Sequence, residues 1–122
     1  VPAVRSVLHQ TETDLELLLF DNGTGAGLSA LGAEGADARI RLLSFPENRG
    51  IARAHNVAVA AARGDLVGLL DSDDIALPDR FARQLAALRR DPALGLVGSA
   101  AERIDPAGAR LGPQFTLGPT QD

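Results

Sequence analysis

The stretch Leu66-Val67-Gly68-Leu69-Leu70-Asp71-Ser72-Asp73-Asp74 places a short apolar run directly before three carboxylates in four positions. An apolar run of this length is typical of a strand that is covered on both faces of a parallel sheet. The carboxylates then lie at the C-terminal end of a strand over residues 65–70, where open α/β sheets bind their ligands. The stretch therefore predicts an α/β fold with a ligand site at the exit of this strand.

Residues 71–74 form a segment that we call the acidic turn, and its negative charge requires a positively charged partner or solvent. Two carboxylates a few ångströms apart repel each other by about 1 to 4 kcal/mol at a surface-like dielectric. A hard divalent cation fits, because Mg²⁺ is usually held by one or two carboxylates together with a bound diphosphate. The alternative is a polar turn in which one Asp caps the next helix and the others are solvated. Both interpretations stay open on these residues alone.

The composition excludes several classes of function. The 122 residues carry a formal net charge of −4, which argues against nucleic-acid binding through a basic face. There is no Cys, so disulfides and thiolate metal sites are excluded from this chain. Every basic residue is Arg, which excludes a lysine Schiff base or a phosphate-loop lysine. The longest apolar runs are too short to cross a bilayer, and we expect a cytoplasmic protein.

Periodicity and turn residues predict alternating helices and strands. Three helices are predicted, over residues 2–10, 51–63 and 78–90, and a weak glycine-rich helix is predicted within 25–36. The predicted strands are 15–20, 39–45, 65–70 and 94–104. A turn at 105–108 and a return strand at 109–111 follow the last of them. This order favours parallel strands with right-handed crossovers. We predict one Rossmann-like α/β domain over residues 1–112, a mostly parallel sheet flanked by helices with a C-terminal β-hairpin, and a tail over 113–122.

Two further polar segments follow predicted strands. Asp21-Asn22-Gly23 ends the first strand with strong turn chemistry, and Asn48 precedes the helix 51–63 as its expected N-cap. The arginines of the helix 78–90 are expected to form a solvated face, with a phosphate clamp as the alternative: Arg80, Arg83, Arg89 and Arg90.

Several of these segments, in their order and spacing, resemble family-two glycosyltransferases of the GT-A fold. The matching strings are Glu47-Asn48-Arg49-Gly50-Ile51-Ala52-Arg53-Ala54-His55-Asn56, Ala62-Arg63-Gly64-Asp65, the acidic turn with Leu70, and Pro78-Asp79-Arg80-Phe81. The resemblance runs from about residue 4 to residue 112. The family's first strand would precede Val1, and its acceptor half would follow Asp122, so we expect a chain that is incomplete at both ends.

The resemblance implies a nucleotide-diphospho-sugar donor, with UDP as the expected nucleotide, and Mg²⁺ or Mn²⁺ as the cofactor. By position, Asp73 would be the main metal ligand, and Asp71 would hold the metal or the ribose, supported by Asp74. Asp21 would contact the nucleoside base, although a turn-forming role is the alternative. Asn48, Gly50 and Asn56 would lie beside the nucleotide; their alternatives are a helix cap, a flexible turn and a helix-packing amide.

The implied reaction is an inverting sugar transfer to a glycan, lipid or protein acceptor that the sequence does not identify. No catalytic residue is assigned, because the general base would lie beyond Asp122. His55 stands where the family often has Arg or Lys, and Thr24-Gly25-Ala26 lacks the family's second acid. A homodimer stays open.

Three other functions compete with this interpretation. A phosphohydrolase would use Asp71 and Asp73 as nucleophile and acid, but it would place them on a first strand and add a Lys. A calcium loop of the helix-loop-helix kind has weaker support still, because no Gly occupies its sharp-turn position. The non-enzymatic alternative is an inactive or truncated nucleotide-binding or interaction module, because a fold does not guarantee an activity.

Overall fold

The computed structural model describes residues 2–115, and the chain divides into two compact units between Phe81 and Ala82. The first unit contains helix α1 (Pro2–Leu8), strand β1 (Leu17–Asn22), a 3-10 helix (Leu28–Ala36), strand β2 (Ile40–Phe45) and helix α2 (Ile51–Ala61). Helix α3 (Arg80–Arg90) begins at the end of this unit, and the second unit continues with strands β3 (Ala101–Ile104) and β4 (Arg110–Phe115).

Strands β1 and β2 form a parallel pair in which Leu17 lies opposite Ile40 and Asn22 lies opposite Phe45. Parallel pairing places the C-terminal ends of both strands at the same edge of the sheet. The two turns that follow these strands therefore meet at this edge, as the sequence predicts for an α/β ligand site.

The buried apolar side chains of the first unit come from the helices, from β2 and from the segment after the acidic turn: Val4, Val7, Ile40, Ala54 and Ala76. Helix α2 packs its small side chains inward, with Ala54 buried and Ala58 and Ala61 half-buried. Its C-terminal end is fixed by Arg41, whose Nη1 donates to the Ala61 carbonyl at 3.1 Å and to Glu16 at 2.6 Å. The small side chains on this face of α2 therefore let the helix pack closely against its neighbours.

The strand predicted over residues 65–70 is not formed. No strand pairing involves this segment within residues 2–115, and its apolar side chains before Leu70 are exposed, with Leu66 at 56% and Leu69 at 57%. An extended segment becomes a strand only when a neighbour pairs with its backbone, and β1 and β2 pair only with each other there. The apolar run indicates a segment that is suited to burial, but it does not indicate which strand would pair with that segment.

The fold class is confirmed: the first unit combines a parallel strand pair with flanking helices, and β3 and β4 form the C-terminal antiparallel hairpin. Several bounds differ from the prediction. The residues 94–100 are not a strand, and β4 continues to Phe115 instead of ending at Leu111. Helix α3 begins at Arg80, because Pro78 and Asp79 form a turn before it. Residues 116–122 of the predicted tail lie outside the described residues.

No helix of residues 2–115 has both the length and the apolar character that a bilayer crossing requires.

Candidate functional site

A cleft of about 330 Å³ lies at the edge of the sheet where β1 and β2 end. It is lined by Asp21, Gly25, Gly27, Leu42, Ser44, Phe45 and Pro46. We call it the Asp21 cleft. Its volume is within the range of small-molecule pockets, and it combines apolar walls with one carboxylate.

The Asp21 carboxylate shapes the loop that forms one wall of this cleft. Its Oδ1 accepts hydrogen bonds from the Thr24 hydroxyl at 2.6 Å and from the Thr24 backbone N–H at 2.7 Å, and its Oδ2 accepts from the Gly27 N–H at 3.4 Å. The Thr24 hydroxyl is the main cause that lowers the pKa of Asp21, followed by the Thr24 backbone N–H. The turn-forming role of Asp21 is therefore real, and its carboxylate still has lone pairs for a ligand N–H.

Asn22 and Asn48 join the two turns at the sheet edge. Asn22 donates from Nδ2 to Asn48 Oδ1 at 3.1 Å and accepts the Arg49 backbone N–H at 3.0 Å. Asn48 Oδ1 also accepts the Gly50 N–H at 2.9 Å, while Gly50 itself takes the N-cap position of α2. The prediction of Asn48 as N-cap is thus wrong, because its side chain is engaged within the turn and with β1.

Gly23 allows the two turns to approach each other. Its φ is +93°, and a Cβ at this position would lie 2.4 Å from the Asn48 backbone N and 2.5 Å from the Glu47 carbonyl carbon. Any larger residue would push these turns apart. Sequence analysis identified the turn at Gly23 but not this contact, nor the role of Asn22.

Phe45 lines one wall of the cleft, and two arginine side chains lie near its ring. Its ring packs edge-on against Phe20 with centroids 4.8 Å apart. The guanidinium groups of Arg49 and Arg53 lie 5.5 and 6.0 Å from the Phe45 centroid, within the range of cation–π contacts. Two cationic side chains therefore lie against the Phe45 ring, in a chain whose net charge is negative.

The acidic turn is exposed, and its carboxylates are not engaged by other groups. The Asp74 backbone N–H donates to the Asp71 carbonyl at 3.1 Å, which closes the turn. Within residues 2–115, the side chains of Asp71, Asp73 and Asp74 have no hydrogen bond or ion pair. The helix-capping alternative is therefore not realised, because none of these side chains caps α3.

The chemistry of these oxygens fits a hard cation that keeps most of its coordination for other ligands. The described residues contain no group of three or more carboxylate, imidazole or thiolate side chains placed to hold a metal. A cation at this turn would therefore be held by one or two carboxylates and would need further oxygens from a bound ligand or water. Mg²⁺ and Mn²⁺ accept such sites when a substrate phosphate completes the shell.

Three side chains outside the acidic turn hold its two ends. At the first end, Arg80 Nη2 donates to the Leu69 carbonyl at 2.9 Å. At the second end, the Ala76 N–H donates to Ser6 Oγ at 3.0 Å, and Gln10 Nε2 donates to the Leu77 carbonyl at 2.7 Å. Sequence analysis missed Ser6 and Gln10, and it did not predict the hydrogen bond from the half-buried Arg80 to the Leu69 carbonyl.

Gln10 is the only buried polar side chain of the described residues, with 4% of its surface exposed. Besides Leu77, it contacts the Ser6 carbonyl at 3.0 Å, and its Oε1 accepts the Phe81 N–H at 3.1 Å. The Thr11 N–H adds a hydrogen bond to the Pro78 carbonyl at 2.8 Å. A buried amide whose donors and acceptor are all engaged fixes the backbone around it, so the segment after the acidic turn is held to the end of α1.

The structure groups the predicted site residues into two sets. Asp21, Asn48 and Gly50 lie on the adjoining turns at the sheet edge, whereas Asp71 and Asp73 lie on the acidic turn. Within residues 2–115, no hydrogen bond or ion pair links the acidic turn to the Asp21 cleft. Asn56 and His55 are exposed on α2, and the Asn56 amide has no hydrogen bond there, so a helix-packing role for Asn56 is not realised.

Residues 1–115 match the family described as glycosyl transferase family 2. The chain is 34% identical to a succinoglycan biosynthesis protein, ExoO of Rhizobium meliloti, over 91% of this chain and 27% of that protein. It is 40% identical to a chondroitin synthase of Escherichia coli, over 88% of this chain and 16% of that protein.

A third relative, again from Escherichia coli, is a UDP-Glc:alpha-D-GlcNAc-diphosphoundecaprenol beta-1,3-glucosyltransferase, WfgD. It is 33% identical over 73% of this chain and 35% of that protein. The chain thus spans roughly a sixth to a third of the length of these three relatives.

Proposed function

The chain belongs to glycosyl transferase family 2, and from that premise we propose that it binds the nucleotide-diphospho-sugar donor of a metal-dependent, inverting sugar transfer. The observation that carries the proposal is the state of the acidic turn, whose exposed carboxylates have no partner within residues 2–115. Unpaired carboxylates repel one another, and a cation bound to a diphosphate would remove that repulsion.

The Asp21 cleft is the proposed nucleoside site. The Asp21 carboxylate accepts an N–H of the base with the lone pairs that Thr24 leaves free. Phe45 offers an apolar wall, and the guanidinium groups of Arg49 and Arg53 bring positive charge towards an anionic ligand. Uracil is the proposed base, and the UDP-Glc in the name of one relative supports this choice.

Asp73 and Asp71 are the proposed metal ligands, and Mg²⁺ or Mn²⁺ is the proposed ion. When bound, the ion neutralises charge that develops on the departing diphosphate. Asp71 and Asp73 would hold this ion beside the donor phosphates, and the turn that Asn48 and Gly50 form adjoins the nucleoside. The acceptor hydroxyl attacks the anomeric carbon with help from a general base. We assign that base to no residue of this chain.

Calorimetry with uridine diphosphate, with and without Mn²⁺, tests the proposal. We expect Mn²⁺ to strengthen binding, and we expect Asp73→Ala to remove this gain because the main ligand is lost. The matched control is Asp14→Ala, which removes an exposed carboxylate from the loop before β1. The proposal is wrong if Mn²⁺ has no effect on the wild-type chain, or if the two variants behave alike.

Transfer of sugar by the whole protein is a separate measurement. Metal-dependent binding of uridine diphosphate without transfer to any acceptor would indicate a nucleotide-binding module instead of a transferase.

A further inference from the structure

We propose that Arg80 is a positioning residue for the acidic turn, holding the backbone at Leu69 so that Asp71 and Asp73 meet the metal–diphosphate of the donor. This inference rests on the proposed function and adds to it a residue that does not itself contact the metal.

The first support is the position of the Arg80 hydrogen bond. Nη2 donates to the carbonyl of Leu69, 2.9 Å away, and Leu69 lies two residues before Asp71. Two residues of extended chain span about 7 Å at most, so the anchored carbonyl lies close to the first carboxylate of the turn. Since no strand pairing holds residues 66–70, this bond replaces the restraint that a sheet would supply.

The second support is that the other end of the turn is already fixed. Ser6 and Gln10 hold the backbone at Ala76 and Leu77 through hydrogen bonds of 3.0 and 2.7 Å. A segment fixed at one end only can swing, whereas a segment of six residues fixed at both ends has few conformations left. Arg80 supplies the second fixed point, and its loss would free the turn while α1 stays in place.

The third support is the environment of the Arg80 side chain. Its guanidinium lies 5.4 Å from the centroid of the Phe81 ring, and its Nε is shielded from solvent without a hydrogen-bond partner. A Cβ on Gly68 would lie 3.4 Å from Phe81 Cε1, so the segment before the turn packs closely against this ring. A shielded N–H without a partner is rare in native proteins, so the Arg80 side chain is held here by its surroundings at a cost.

A positioning role and a purely electrostatic role predict opposite effects of removing Arg80. If Arg80 only contributed a nearby positive charge, its removal would strengthen the attraction between the carboxylates and a divalent cation. If Arg80 positions the turn, its removal weakens metal-dependent binding. Substitutions of residues that orient metal ligands typically weaken metal affinity about 10- to 100-fold.

The experiment measures uridine diphosphate binding to the intact protein by calorimetry, with and without Mn²⁺, in wild type, Arg80→Met and Arg80→Lys. We expect Arg80→Met to weaken binding with Mn²⁺ by about tenfold and to leave binding without Mn²⁺ unchanged. Arg80→Lys keeps the charge and a donor for Leu69, so it should recover most of the loss. Arg90→Met is the matched control, because Arg90 is an exposed arginine at the end of the same helix, and it should behave as wild type.

Hydrogen exchange of the Asp74 amide, which donates to the Asp71 carbonyl, provides a readout without any ligand. We expect faster exchange there in Arg80→Met and unchanged exchange in β1 and β2. Arg80→Gln is the second variant, with the same expected values, for use if Arg80→Met does not fold.

The outcomes separate the two proposals. Wild-type protein without Mn²⁺-dependent binding overturns the proposed function and this inference with it. Wild-type binding that depends on Mn²⁺, together with an Arg80→Met variant that binds as tightly or more tightly, overturns only the inference. An equal loss with and without Mn²⁺ also overturns it, because such a loss reflects a general structural defect.

Discussion

Replacing Gly23 by Ala should damage both the stability of the first unit and the Asp21 cleft. Gly23 has a φ of +93°, in the region that L-residues rarely adopt. The added Cβ would also lie 2.4 Å from the Asn48 backbone N and 2.5 Å from the Glu47 carbonyl carbon. Both atoms belong to backbone, so they cannot move aside without shifting the turn that contains Asn48.

The magnitude follows from two contributions. A left-handed backbone costs a non-glycine residue about 1 to 2 kcal/mol. Forcing a methyl group into occupied space costs about 1 to 3 kcal/mol more. Gly23→Ala should therefore lower the free energy of unfolding by about 2 to 5 kcal/mol. Separating the turns would also break the 3.1 Å hydrogen bond between Asn22 and Asn48, so uridine diphosphate should bind more weakly.

Gly25→Ala is the matched control for this prediction. Gly25 also has a positive φ, +69°, but nothing lies within 4 Å of the position of its Cβ. Gly25→Ala should therefore lower the free energy of unfolding only by the backbone contribution of about 1 to 2 kcal/mol. Urea denaturation of wild type and both variants gives the comparison. Equal destabilisation by the two substitutions would refute the close approach of the two turns.

Three further predictions concern named side chains. Gln10→Leu leaves the Leu77 carbonyl and the Phe81 N–H without their buried partner, and urea denaturation should show a free energy of unfolding that is lower by about 2 to 4 kcal/mol. A decrease of less than about 0.5 kcal/mol would contradict the role of Gln10. Thr24→Val removes the hydroxyl that lowers the pKa of Asp21, so this pKa should rise towards its ordinary value in a carbon-13 titration, and the acid limb of uridine diphosphate binding should move to higher pH. Arg39 lowers the pKa of Asp37 from 3.8 to about 2, so the Asp37 carboxylate stabilises the fold fully above pH 3.8 and loses that effect as pH falls through 2. Asp37→Asn should therefore be less stable than wild type at pH 7, and the difference in stability should close below pH 3.8. A difference in stability that is independent of pH would contradict this assignment.

The sheet edge was predictable from sequence because local signals specify it. Strand β2 follows from the partial alternation of residues 39–45, and Asp21 and Asn48 were placed beyond the ends of neighbouring strands by turn chemistry. Parallel pairing then brings these turns together without further information. The Asn22 amide was overlooked because its two partners lie 26 and 27 residues away.

The surroundings of the acidic turn could not be predicted, for a related reason. Arg80 looked like one of several exposed arginines on a helix, because the spacing of charges does not show which of them meets a backbone carbonyl. Gln10 ends the predicted helix 2–10, and nothing local indicates that it is buried at 4% exposure. The strand at 65–70 was predicted from hydrophobicity alone, and hydrophobicity does not reveal whether a partner pairs with the backbone.

The hydrogen bonds that hold the end of the acidic turn to α1 join residues 67 to 71 positions apart in the chain. Contacts of such long sequence separation form late in folding, because the entropy cost of closing a large loop precedes the favourable energy of the contacts. On the ribosome, the Gln10 amide cannot bond to both Leu77 and Phe81 until residue 81 has been synthesised and released. The acidic turn should therefore be among the last parts of the first unit to become ordered, and substitutions at Gln10 should slow its completion more than they slow the pairing of β1 with β2.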